Sequence, residues 1–281
     1  MAETIEDIIL DHDKRGMLAL RPHVPADFCS QAARYVMDHP GHTVITTGFY
    51  VIMAGKPETD GPPGAVAIGR ALQALGRRVT YVTDSYTAPV LQQWANGAEV
   101  AEFPIAGVEE SKRHAARMLE DLKPALLISI ERCGRNRNDE YLNMRARDIT
   151  PQTARLDYLF DGGVPSVGIG DGGNEIGMGN LVDVIPTVDT LPDDPAISRV
   201  DRLVIASVSN WGGYGLVAAM SRIAGINLLP GSDGEARMVE GMIEAGAVDG
   251  TTGDAVPTVD NFSMDENGQL LARLHSVVGA N

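Results

Sequence analysis

Val164-Pro165-Ser166-Val167-Gly168-Ile169-Gly170-Asp171-Gly172-Gly173-Asn174-Glu175-Ile176-Gly177-Met178-Gly179-Asn180 begins apolar and ends rich in glycine. The apolar part reads as a strand over 165–169. Without Cβ atoms, the glycine loop after it brings backbone N–H groups close to a bound group. Such a loop alone would cradle an anion. Here Asp171, Asn174 and Glu175 place two carboxylates and an amide inside it, which suits an amine, a hydroxyl or a metal. This pattern points to an enzyme site at the end of a sheet.

Working outward, strands and helices alternate. Strands are predicted at 44–47, 79–83, 100–103, 125–130 and 203–207. Helices are predicted at 26–37, 65–75, 88–96, 109–122, 150–160, 213–223, 234–246 and 265–277, and a short amphipathic helix begins near residue 3. This alternation predicts an α/β fold with a mainly parallel, Rossmann-like sheet and helices on both faces. Long loops follow Thr47, Ile130 and Ile169, and ligands of open α/β sheets bind beyond the carboxyl ends of strands. One α/β domain over 1–281 is expected, with Pro186 to Pro195 as a surface loop or lobe boundary.

Composition excludes several classes. The net charge is −15, and no Lys/Arg cluster resembles a phosphate-backbone footprint, so nucleic acid is not an expected partner. No stretch approaches a membrane span. The two cysteines form no framework, and the acidic N-terminus lacks a signal pattern, so a cytoplasmic location is expected. The six histidines show no paired spacing, so any metal would sit among oxygens, as Mg²⁺ or Mn²⁺. No cofactor is required by the sequence, and a homo-oligomer stays open.

Each motif carries a plainer alternative. Gly168-x-Gly170-x-x-Gly173 satisfies a dinucleotide pattern, yet Asp171 would face a pyrophosphate. The same residues could form a tight turn and caps. Glu58 and Asp60, in Pro57-Glu58-Thr59-Asp60-Gly61-Pro62-Pro63-Gly64, could bind an amine or a metal, or lie on a rigid surface turn. Arg132, Arg135 and Asn136 could fork a carboxylate or join a surface ion-pair network. Cys133 has no neighbouring His to activate it. Asp84 ends a strand, where ligand contacts are common. The polar runs 249–253 and 259–261 either close over the site or are ordinary turns. Ser209-Asn210-Trp211-Gly212-Gly213 is a site turn or a packing corner.

In order, Thr47-Gly48-Phe49, the 57–65 turn, Glu131-Arg132-x-Gly134-Arg135-Asn136, Tyr141-x-Asn143-Met144 and the 168–179 loop resemble the D-glutamate cyclase-like C-terminal domain family. The match spans almost the whole chain. The resemblance implies a carbon–oxygen lyase that converts D-glutamate to 5-oxo-D-proline and water. Such a reaction needs a base for the amine, a folded substrate, and masking of the carboxylate charge.

Under that reading, Asp171 or Glu175 is the acid or base, and Asp84 joins the catalytic group. Thr47, Glu58, Asp60, Glu131, Arg132, Asn136 and Asn174 contact substrate, with N–H groups of Gly172 and Gly173 at the oxyanion. Asp60, Asp84 and Asp171 are the metal candidates. A lyase or hydrolase of another small amino or hydroxy acid remains an alternative, as does a non-catalytic binder of an amino acid or nucleotide.

Overall fold

A computed structural model describes residues 3–279. Six strands form its main sheet: β1 (Thr43–Thr47), β2 (Val79–Thr83), β3 (Glu99–Glu102), β4 (Leu126–Ile130), β5 (Ser166–Gly170) and β6 (Arg202–Ile205). All neighbouring pairs are parallel, in the order β3-β2-β1-β4-β5-β6. The chain winds outward from β1 in one direction and from β4 in the other. The order therefore reverses between β1 and β4, which leaves a crevice at their carboxyl ends.

The sheet is buried on both faces, which is why its central strands carry apolar residues and small hydroxyls but no charges. Ile45, Ile128, Ile130, Val167 and Ile169 pack on one face. Helices α1 (Ile5–Ile9), α2 (Phe28–Asp38), α3 (Pro62–Ala74), α6 (Ser209–Ala224), α7 (Ser232–Glu244) and α8 (Met264–Val278) contribute to that core. The opposite residues Val44, Val82 and Leu127 pack with Phe103, Ala115 and Leu159, contributed by α5 (Val108–Leu122) and its neighbours. The short helix α4 (Ala88–Gln92) follows β2.

Glycine lets α3 and α6 approach closely. A Cβ on Gly64 would lie 2.6 Å from Ile130 Cδ1, and one on Gly213 would lie 3.1 Å from Gly64 Cα. Two prolines open α3, where their missing N–H groups cost nothing, so it starts at Pro62 rather than at residue 65.

Elsewhere the fold corrects the reading. The helix expected over 150–160 is two 3₁₀ turns, Thr150–Gln152 and Leu156–Gly162. Asp157 is drawn inward by Arg135, the Ser198 hydroxyl and the Tyr141 hydroxyl, and Arg155 donates to the Asp139 carbonyl. These tethers replace helical pairing. Two small hairpins escaped notice, Tyr50–Val51 with Lys56–Pro57 and Thr258–Val259 with Phe262–Ser263. Their strands are two residues long, too short for an alternating pattern to register. The 186–195 run is not wholly solvent-facing: Leu191 is in the core, and Asp194 accepts a bond from Asn136. Among the described residues, no helix is long and apolar enough to cross a membrane.

Candidate active site

A cavity of about 390 Å³ opens beside the ends of β1, β4 and β5. Glu58, Glu131, Asp171 and Asp260 line its polar wall, and Phe49, Met144 and Phe262 contribute apolar wall. Loops that follow different strands are stitched together around it. Gly134 donates to the Asn174 carbonyl and Ile176 to the Arg132 carbonyl, joining the loops after β4 and β5. Thr59 and Val248 likewise join the loop after β1 to that after α7.

The acids converge on the N-terminus of α6. The helix is preceded by Val208, whose side chain cannot cap, so its first N–H groups need partners from elsewhere. Asp60 provides them, accepting from Asn210 at 2.7 Å and from Ser209 at 2.9 Å. Asp171 Oδ2 accepts from the same Ser209 N–H at 3.1 Å. The Ser209 hydroxyl donates to Glu131 at 2.6 Å. Glu131 holds a left-handed backbone, φ 41°, where β4 turns into the site. A side chain makes that conformation costly, and such strain concentrates at functional sites.

The cation opposite these acids comes from a segment that the sequence did not mark. Arg15 pairs with Asp171, and with Asp260 at 2.8 Å. Asp13 fixes this approach by accepting the N–H groups of Arg15, Gly16, Met17 and Leu18. The available signal was Asp13-Lys14-Arg15-Gly16, two cations flanked by turn residues. Asp260 arrives on the second hairpin, where Asp260 and Asn261 are both left-handed. Asp249 pins that hairpin by accepting from Asn261 N–H and from the Thr258 hydroxyl. The late polar runs thus form one wall of the cavity.

Burial shapes the proton affinities. Glu58, Asp60 and Glu131 are pushed well above the ordinary carboxylate range by burial and by their acidic neighbours. Burial also raises Asp171, against the pull of Arg15. Asp260 rises to about 7 through burial, and its contact with Asp171 adds to the shift while Arg15 opposes it. Buried acids this close cannot all ionise, so the cluster retains protons near neutrality.

Among the expected residues, Glu58, Glu131, Asp171 and Asn174 line the cavity, with Asp60 directly behind them. Glu175 lies beneath the glycine loop and accepts from the N–H groups of Asp171 (2.7 Å) and Gly172 (2.5 Å). The Gly172 N–H expected at an oxyanion is therefore engaged by a carboxylate. The same contact fills the place of a pyrophosphate, and the motif follows β5 rather than β1, against the dinucleotide alternative. Gly173 is left-handed, φ 90°, and a Cβ there would press on Ile185.

Other expected residues lie away from the cavity wall. Asp84 and Arg132 bond each other at 2.5 Å, and Arg132 also donates to the Gly48 and Ala154 carbonyls. This buried pair ties three loops together. Asn136 donates to Glu140 and Asp194, and Arg135 pairs with Asp157 and Asp161. Thr47 accepts the Thr83 hydroxyl through its carbonyl, and its own hydroxyl is buried without a hydrogen-bond partner. Burial pushes the Cys133 thiol well up, which disfavours a thiolate.

The donor set suits a hard cation. Asp60, Asp171 and Asp260 each offer one oxygen, all within 4.8 Å of one another. Glu131, Asp171 and Glu175 form a second such group, and Glu175 Oε2 is buried without a hydrogen-bond partner. Oxygen-only donors fit Mg²⁺ or Mn²⁺. Asp84, held by Arg132, belongs to neither group.

Residues 5–275 match the family model described as D-glutamate cyclase-like, C-terminal. The chain is also 34% identical over 204 residues to the human protein named D-glutamate cyclase, mitochondrial, which aligns with 66% of this chain and 33% of that protein. The chain thus spans about a third of the curated relative it matches. With the family model covering nearly its whole length, this chain belongs to the D-glutamate cyclase-like C-terminal family.

Proposed function

We propose that this cavity cyclises D-glutamate to 5-oxo-D-proline and water. The observation carrying the reading is the Arg15–Asp171–Asp260 cluster, with Asp260 pushed to about 7. Cyclisation needs one group to take a proton from the α-ammonium and another to give one to the departing oxygen. Two carboxyls in contact with unequal proton affinities meet that need. Asp171, facing Arg15, takes the proton that frees the amine. The amine attacks the γ-carboxyl carbon, a C–N bond forms, and a C–O bond breaks. Asp260 protonates the leaving oxygen, the proton held by Asp171 completes it as water, and the second ammonium proton restores Asp260. The ammonium gives up two protons and the carboxylate one oxygen, so water balances the reaction.

Folding the substrate within the cavity replaces an encounter by an intramolecular attack, lowering the barrier by several kcal/mol, on the order of the known effective molarities. Asp60, Asp171 and Asp260 would hold a divalent ion, which would supply Lewis-acid masking of the γ-carboxylate charge in place of the proton-transfer roles of Asp171 and Asp260. The test is an NMR time course with D- and L-glutamate, with and without Mn²⁺ or Mg²⁺. Formation of 5-oxoproline from the D form supports the reading. Folded protein that forms none under any condition sinks it.

A further inference from the structure

Three cations line the cavity: Lys14, Arg15 and Arg145. Arg15 is engaged by Asp171 and Asp260, but the other two behave differently. Among the described residues, neither Lys14 nor Arg145 has a carboxylate within 4.0 Å, although the chain carries 38 Asp and Glu against 23 Lys and Arg. Lys14 Nζ lies 3.4 Å from the centroid of the Phe262 ring. Arg145 Nη1 reaches only the Met53 sulfur, at 3.7 Å. A thioether is a weak acceptor for a guanidinium with five N–H donors.

Both residues are exposed, but the backbone that carries each is anchored. Lys14 follows Asp13, whose carboxylate gathers four successive N–H groups. Arg145 follows Asn143, whose side-chain oxygen accepts the N–H groups of Arg145 and Arg147. Asn143 N–H also donates to the Arg147 carbonyl, closing the loop. Two cations without a carboxylate within 4.0 Å, on anchored backbone at the exposed end of an acid-floored cavity, are available to an anionic group.

We propose that Lys14 and Arg145 bind the α-carboxylate of the substrate and so determine its specificity; this rests on the cyclase reading. The acids hold the amine, and the α-carboxylate on the same carbon then projects toward the mouth. The γ-carboxyl folds back to the amine. The α-carboxylate survives into 5-oxoproline, so the two cations contact substrate and product alike.

The test compares wild type with Lys14→Met and Arg145→Met on D-glutamate and on 4-aminobutyrate, which lacks only the α-carboxylate. Binding of 5-oxo-D-proline is measured in parallel by calorimetry. The expected result is a roughly tenfold rise in KM for D-glutamate in each variant, with kcat moving less. Preference over 4-aminobutyrate should shrink, and 5-oxo-D-proline binding should weaken. Unchanged KM and unchanged binding in both variants overturn the assignment while leaving the cyclase reading intact. Wild-type protein that makes no product yet binds 5-oxo-D-proline through these residues overturns only the cyclase reading. Absence of both turnover and binding in wild type overturns both.

Discussion

Asp60 and Asn210 are locked to each other across 150 residues of chain. The Asn210 N–H donates to Asp60 Oδ1 at 2.7 Å, while Asn210 Oδ1 accepts the N–H groups of Gly61 (2.9 Å) and Gly64 (2.8 Å). Asn210 Nδ2 donates to the Thr59 carbonyl. One side chain thus satisfies the start of α3 while its own backbone is capped by the residue preceding that start. Asn210→Ala orphans several buried groups at once and should cost about 2–4 kcal/mol. Urea denaturation checks this, and a cost below about 0.5 kcal/mol would show that water replaces the amide.

Asp171→Asn should abolish turnover while leaving the fold intact. The amide keeps an acceptor for the Ser209 N–H but no longer takes a proton. Circular dichroism and the NMR time course decide together. A near-normal rate in folded variant removes Asp171 from the mechanism.

Arg15→Gln removes the counter-ion of Asp171 and Asp260. Both carboxyls then rise further, so the native state binds more protons than the unfolded chain. Stability consequently falls as pH rises. The variant should resemble wild type near pH 5 and lose about 2–3 kcal/mol by pH 8, with turnover down at least about tenfold. Melting temperatures across pH test the sign, and a loss independent of pH would contradict it.

Asp84→Ala strands the buried Arg132 guanidinium beside the Gly48 and Ala154 carbonyls. Loss of one member of a buried pair costs about 3–5 kcal/mol. Chemical denaturation should show that loss, with the residual folded fraction binding 5-oxo-D-proline normally. Weakened binding by fully folded variant would instead place Asp84 in direct contact with ligand.

Glu235 lies buried between helices, accepting from the Tyr214 hydroxyl, with its second oxygen unpaired. Burial raises it to about 7, although the Tyr214 bond opposes the shift. Its folded value exceeds its unfolded one, so its contribution is complete below about pH 4.5 and lost as pH rises through 7. Glu235→Gln should remove roughly 3 kcal/mol of that decline between pH 5 and 8. Parallel pH–stability curves for the two proteins would refute this.

Much of the architecture was legible because its signals are local. Val79–Thr83 and Leu126–Ile130 are buried on both faces and so carry only apolar, aromatic or small hydroxyl side chains, with no charge. The periodicity from residue 65 marked the body of α3, although its start at Pro62 was read as part of the preceding turn. The 3₁₀ turns around Asp157 were not legible, because the partners that draw it inward come from residues 135, 141 and 198.

The site divides along the same line. The sequence alone determined that acids and glycines crowd the ends of β4 and β5, since strand ends and turn residues are written in short segments. Only the tertiary structure decided which charges meet. It brought Arg15 and Asp260 from opposite ends of the chain onto Asp171, and turned Arg132 inward onto Asp84. Pairing depends on distances of a few ångströms between loops far apart in sequence, and no spacing rule along the chain encodes those distances.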